Sequence, residues 1–161
     1  MTGIEERLAR LEAVEEIKVL KASYFRLLDL HRWDELRALF TDDARFEIDE
    51  SRSQPAGPDA FVAAVSAHLD RAMTVHHGHT PEIRVLDGVH AEGIWAMYDL
   101  VEPARESGHP LLTGFGHYEE EYRKVEGRWR IARLRLTRLK RVVDGEVRDG
   151  QDVFSPREGP G

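Results

Sequence analysis

The chain has 161 residues, 41% hydrophobic and 33% charged, which suits one globular domain with its own core and excludes a disordered or fibrous segment. A net charge of −7 argues against non-specific nucleic-acid binding, which rests on neutralising phosphates. The absence of cysteine excludes disulfides, iron–sulfur clusters and thiol catalysis, and no apolar run approaches the roughly 20 residues of a membrane span.

The first sixteen residues, MTGIEERLARLEAVEE, are charged and periodic and do not read as a secretory leader. With the lack of cysteine, this leads to the expectation of a cytoplasmic protein. Residues 5–29 read as a helix: Leu8, Leu11, Val14, Ile17, Leu20, Tyr24 and Leu27 or Leu28 recur at spacings of three and four, one apolar stripe. Thr2 or Gly3 begins it, and Glu5 and Glu6 suit the positive end of the helix dipole. A short helix from Trp33 to Phe40 follows, ended by Thr41-Asp42-Asp43, and Ala44 to Asp49 alternate as a strand. Ser51 to Pro58 is a polar loop. Asp59 is placed to cap a third helix, Ala60 to about Ala72, with Phe61, Val65 and Leu69 on its apolar face.

The period then changes to two, predicting strands over Thr74–Leu86, Val89–Val101, Leu112–Val125 and Arg128–Arg141. Asp87-Gly88 and Glu126-Gly127 are hairpin turns, so these strands run antiparallel. The basic run Arg128 to Arg141 reads as solvated arginines on a sheet face. Residues 1–142 are expected to form the domain, and 143–161, rich in Gly, Pro and charge, a loose polar arm. Helices followed by a run of strands make an α+β fold, a curved sheet wrapped over helices like a cone, with a pocket where function should be sought.

Within that frame, several polar residues fall where apolar ones are the rule. Tyr24 lies on the buried stripe, and Asp29 stands at the negative end of the first helix, which repels a carboxylate. Asp29 either solvates the following loop or is a buried carboxylate needing a donor, for which histidine is the natural partner. Thr74-Val-His76-His77-Gly-His79 is the densest histidine stretch. His77 and His79 share a strand face and could begin a metal site, but no HExxH pattern or cysteine accompanies them. The remaining readings are a structural histidine and a general base oriented by a carboxylate; spacing alone does not choose between them. Asp99 closes the row Ala91, Gly93, Trp95, Met97, and Arg138 closes the row Ala132, Leu134, Leu136. A lone charge ending an apolar row marks either a pocket wall, where Trp95 would also sit, or the sheet edge reaching solvent. His117, in Gly114-Phe-Gly-His-Tyr118, is a similar candidate of ambiguous parity. Ile94, Ala96, Tyr98 and Leu100 make the other face of their strand apolar too, which predicts a partner surface.

The blocks IKVLKASYFRLLDLHRWDELRALFTDDARFE, VHHGHTPEI, GIWAMYD and GFGHYEEEYRKVEGRWRIARLRLTRL, spanning residues 9–142, resemble the SnoaL-like branch of the nuclear transport factor 2-like superfamily in order and spacing. The superfamily includes isomerases, hydratases, dehydratases, cyclases and non-enzymatic binders. The polar pattern Tyr24, Asp29, His76, Asp99, with Arg138 on the last strand, looks similar to that of bile-acid 7α-dehydratases. Scytalone dehydratase and lindane dehydrochlorinase also place an aspartate and a histidine where Asp29 and His76 stand; the dehydrochlorinase has a lysine in place of Tyr24. The resemblance thus selects His76 over His77 and His79, which requires a β-bulge near Pro81 to bring it onto the face of Ile83 and Val85. It implies a cofactor-independent, metal-free dehydratase-like lyase or isomerase: Asp29, His76 and Tyr24 catalytic, Asp99 and Arg138 on the wall around the substrate. His117, near but not at the position of the second catalytic histidine of scytalone dehydratase, and Trp95 are further pocket candidates. Its substrate would be a small hydrophobic molecule, steroid-, polyketide- or terpenoid-like, and the protein a dimer or trimer. The alternatives are a polyketide cyclase and a binding protein without chemistry.

Overall fold

The computed structural model describes residues 3–48, 54–69 and 71–150, the last three of these by backbone alone. Helix α1 (Ile4–Asp29) carries Glu5 and Glu6 in its first turn and Arg26 in its last, as the helix dipole favours. Its buried face is Ala13, Ile17, Leu20, Tyr24, Phe25, Leu27 and Leu28, with one charged residue among them, Lys21. Leu8 and Leu11, expected on the same stripe, are 53% and 65% exposed, because the helix meets the sheet only from Ala13 onward. Helix α2 (Trp33–Arg37) is shorter than the sequence suggests. The chain turns at Ala38-Leu39 so that Leu39 can accept a hydrogen bond from the Ile131 amide, and strand β1 (Phe40–Ile48) begins at once.

Helix α3 (Pro58–His68) starts on a proline, whose missing N–H costs nothing at that position, and is preceded by Gly57 at φ 98°. Asp59 is therefore not its cap. It lies in the first turn and receives Arg37 Nε at 2.6 Å, tying α3 to α2. Phe61 stacks on Phe46 (centroids 4.2 Å, 8° between planes) and meets Phe40 edge-on, which seats α3 over β1.

Strands β2 (Met73–Val85), β3 (His90–Glu102), β4 (Leu112–Val125) and β5 (Arg128–Val143) form an antiparallel meander. Both hairpins form, but only Glu126-Gly127, at φ 51° and 75°, is the expected two-residue turn; Asp87-Gly88 lies in a four-residue loop, Leu86 to Val89, where Asp87 Oδ1 accepts from the Val89 and His90 amides. Strand β1 adds to β5 in parallel, giving a mixed sheet in the order β1-β5-β4-β3-β2. A final strand, β6 (Glu146–Gly150), also pairs with β5, beyond the stretch that β1 covers. The segment expected to be a loose arm thus begins with a hairpin through Asp144-Gly145, at φ 50° and 83°, the same turn chemistry as Glu126-Gly127; residues 151–161 lie outside the described ones.

The sheet's inner face packs on α1. Ile17, Leu36, Phe40, Ile131 and Leu134 are fully buried at the centre of the core. The outer face of β3 keeps Ile94 43% exposed, with Ala96, Tyr98 and Leu100 half-buried beside it. Among the described residues, no helix is long and apolar enough to cross a membrane.

Candidate active site

Asp29 is the last residue of α1, and the strand nearest it, β2, is the sheet's free edge. Its carboxylate therefore meets donors that no neighbouring strand consumes. Oδ2 accepts from the His76 backbone N–H at 3.0 Å, while Oδ1 accepts from the Thr74 hydroxyl at 2.9 Å and contacts His76 Nδ1 at 2.6 Å. Partial burial pushes the Asp29 carboxyl toward its neutral form, but the hydrogen bonds from the His76 ring and backbone, the His76 charge and Thr74 outweigh it and hold the pKa below the ordinary value. An ionised Asp29 fixes the proton of His76 on Nδ1 and leaves the lone pair on Nε2, a tautomer assigned from this bonding pattern.

His76 is buried and reaches the inner face because the β2–β3 register shifts between His79 and Glu82, with Thr80 at φ 38°. Directly across the ladder from His76 stands Asp99, then Gly114, then Arg141. Asp99 Oδ2 receives Arg138 Nη1 at 2.8 Å, and both side chains are almost fully buried. This pair meets above Gly114: a Cβ there would fall 2.1 Å from Asp99 Oδ1 and from Arg138 Nη1, so the position needs glycine for space. Asp99 Oδ1 is buried, and among the described residues none donates a hydrogen bond to it.

These groups surround a cavity of about 440 Å³ between α1, α3 and the inner face of the sheet. Tyr24, His68, His76, Asp99, Tyr118, Arg138 and Arg141 supply its polar lining, and Leu28, Phe61, Val65, Leu134 and Leu136 much of the apolar remainder. Burial first, then Glu120, pushes the Tyr24 phenol well above its ordinary pKa, so it is a hydrogen-bond donor and not a base. A histidine whose Nδ1 is engaged by Asp29, protonated phenols and a guanidinium, lining one largely apolar cavity, form a set that can move a proton and stabilise the negative charge left behind.

A profile of the SnoaL-like domain matches residues 9–135, most of the chain. The chain belongs to the SnoaL-like domain family. This SnoaL-like protein is 26% identical over 141 residues to the cyclase-like FGR4 of Gibberella zeae, covering 80% of this chain and 92% of that one. Among solved structures, a scytalone dehydratase-like protein from Novosphingobium aromaticivorans superposes with a TM-score of 0.78 at 21% identity, over 92% of this chain and 97% of its own. The hexachlorocyclohexane dehydrochlorinase LinA-type3 of Novosphingobium barchaimii gives 0.73 at 19% identity, over 85% and 93%. At that identity the two structures establish the shared fold, the cone of the nuclear transport factor 2-like superfamily.

The SnoaL-like cavity is lined by Tyr24, His76, Asp99 and Arg138, with Asp29 behind His76. Two expected members are elsewhere. His117 pairs with Ala96 and Thr137 on the outer face, because strand parity gives the inner face to Gly116 and Tyr118 on either side of it. Trp95 is on the inner face but outside the cavity wall; its Nε1 donates to the Tyr122 hydroxyl at 2.8 Å in a separate buried network. His77 and His79 also face outward, their rings 5.9 Å apart, and among the described residues no group of three ligands is placed to hold a metal ion.

Four wall or supporting residues lie outside the candidates that the sequence offers. Tyr118 was masked by its neighbour His117. Arg141 enters the cavity only because β5 shifts register between Arg138 and Lys140, which puts two arginines three residues apart on one face. Lys21 and Glu120, both fully buried, carry charges that composition assigns to the surface.

Proposed function

We propose that this protein is a cofactor-independent lyase or isomerase acting on a small hydrophobic ring compound that bears a carbonyl group, with dehydration as the reaction. The contact that carries the reading is His76 Nδ1 to Asp29 Oδ1, 2.6 Å, at the edge of a largely apolar cavity. In it, His76 Nε2 removes a proton from the carbon next to the carbonyl, and that electron pair passes to the carbonyl oxygen as an enolate. Tyr24 donates a hydrogen bond to the enolate oxygen. When the enolate collapses, the carbon–oxygen bond to a β-hydroxyl breaks, and the hydroxyl leaves as water with the proton returned by the imidazolium. Arg138 binds the carbonyl or an anionic substituent, and Asp99 fixes the guanidinium plane. General acid–base help of this kind contributes about 10²–10⁴-fold.

The same enolate can attack a second carbonyl and close a ring, a cyclase reaction in keeping with the name of FGR4. Incubating the protein with cyclic β-hydroxyketones separates the readings. A product lighter by one water supports dehydration, a rearranged product of equal mass supports isomerisation, and recovery of every compound unchanged would make the protein a binder.

A further inference from the structure

Lys21 lies one helical turn before Tyr24 and Phe25 on the face of α1 that enters the core, and its ammonium is fully buried. Its counter-ion is Glu120 on β4, at 2.5 Å, also without exposure. The second oxygen of Glu120 accepts from the Tyr122 hydroxyl at 2.5 Å, and that hydroxyl in turn accepts from Trp95 Nε1. A buried ion pair is weak evidence for stability, since apolar residues of similar volume often serve the fold as well or better. The geometry around the ammonium gives the pair another role. Its nitrogen is 3.6 Å from the ring centre of Tyr118, 4.1 Å from that of Tyr24 and 4.7 Å from that of Phe25. The two phenol rings stand edge-to-face with centroids 6.0 Å apart, and both line the cavity.

A cation over a ring face is attracted to the π cloud and holds the ring in place. Burial lowers the Lys21 pKa to about 8 against the opposing pull of Glu120, so the ammonium is charged at neutral pH. Burial likewise keeps Tyr118 protonated well above the ordinary range, reinforced by Tyr24 and Asp99. The Tyr118 hydroxyl favours the ionised form of Tyr24, against the pull of burial and of Glu120.

We infer that Tyr24 and Tyr118 form a two-phenol site for an oxyanion, enolate or phenolate, and that Lys21, held by Glu120, is the positioning residue clamping both rings from beneath. This rests on the proposed enolate chemistry for its use but not for its test, because binding an oxyanion needs no base.

Para-nitrophenolate, followed by its visible absorbance, is the anionic probe, and nitrobenzene is the neutral probe of nearly the same shape. Wild-type protein should prefer the phenolate. Tyr118→Phe should weaken phenolate binding by about tenfold or more, the worth of a hydrogen bond to a charged group, and leave nitrobenzene binding unchanged. Two neutral replacements test the clamp, Lys21→Met with Glu120→Gln and Lys21→Leu with Glu120→Leu, and whichever folds by circular dichroism should show the same selective loss. Equal loss of both probes, no loss of phenolate, or no phenolate preference in the wild type would overturn the inference. If neither double variant folds, the ion pair is structural and the role assigned to Lys21 falls. Wild-type protein that exchanges carbon-bound protons of a ketone yet shows no phenolate preference would sink the two-phenol site alone, and the converse pattern would sink the His76 mechanism alone.

Discussion

Replacing Asp29 by asparagine keeps the side chain's size and removes its charge, and the geometry says what must follow. The His76 backbone N–H at 3.0 Å from Oδ2 is a fixed donor, so the asparagine oxygen has to face it. The amide nitrogen then occupies the place of Oδ1, toward the Thr74 hydroxyl and His76 Nδ1. Threonine can turn and accept. The imidazole can accept only by moving its proton to Nε2, which gives up the lone pair needed for proton abstraction. The general-base contribution of about 10²–10⁴-fold is lost, about 3–5 kcal/mol of barrier; the same inversion of tautomer in serine proteases costs about 10⁴. Stability should fall by only about 1.5–3 kcal/mol, the range for a hydrogen bond to a charged group, because all three contacts are remade with a neutral amide. The rate of deuterium uptake into β-tetralone in deuterium oxide, read by NMR, measures the base directly. An Asp29→Asn protein that is folded and exchanges within about threefold of wild type would refute the reasoning.

Two further outcomes follow from the same geometry. Gly114→Ala should force apart Asp99 and Arg138, destabilise the protein by about 1–3 kcal/mol in thermal unfolding and raise the KM for any ketone substrate, whereas Gly88→Ala, in open space, should be neutral in both measurements. The lowered pKa of Asp29 makes the unfolded chain bind a proton before the folded one does. Its contribution is therefore complete above the unfolded value, about 3.8, and is lost as pH falls through the folded value; chemical denaturation of wild type across acid pH should show a steeper decline than Asp29→Asn.

The elements were legible because hydrophobic period and turn chemistry agree along most of the chain. Asp87-Gly88 and Glu126-Gly127 mark two hairpins, and the same dipeptide chemistry at Asp144-Gly145 turns the chain into β6, inside a tail whose glycine, proline and charge read as a loose arm. Pairing of β1 with β5 joins segments far apart in sequence, and nothing local encodes it. In the site, Asp29 stood out as a carboxylate at the wrong end of a helix, and the three hydrogen bonds it accepts from β2 now account for it. His117 and Arg141 show the limit of alternation. Strict parity from Asp99 through the β3–β4 pairing assigns the inner face to Tyr118, and a register shift after Arg138 adds Arg141, neither of which spacing within one strand reveals. Lys21 and Glu120 were hidden for a different reason: a lysine and a glutamate 99 residues apart read as solvent-facing until the fold brings them together without water.

The central claim is that His76 Nε2 takes a proton from carbon inside the cavity. Deuterium exchange of β-tetralone by wild type and by His76→Ala, with uptake of the same ketone measured by fluorescence quenching, tests it most directly. The account predicts catalysed exchange in the wild type, and in the variant loss of at least about 10²-fold in rate with the ketone still bound. Exchange at the wild-type rate in a folded His76→Ala protein would contradict it.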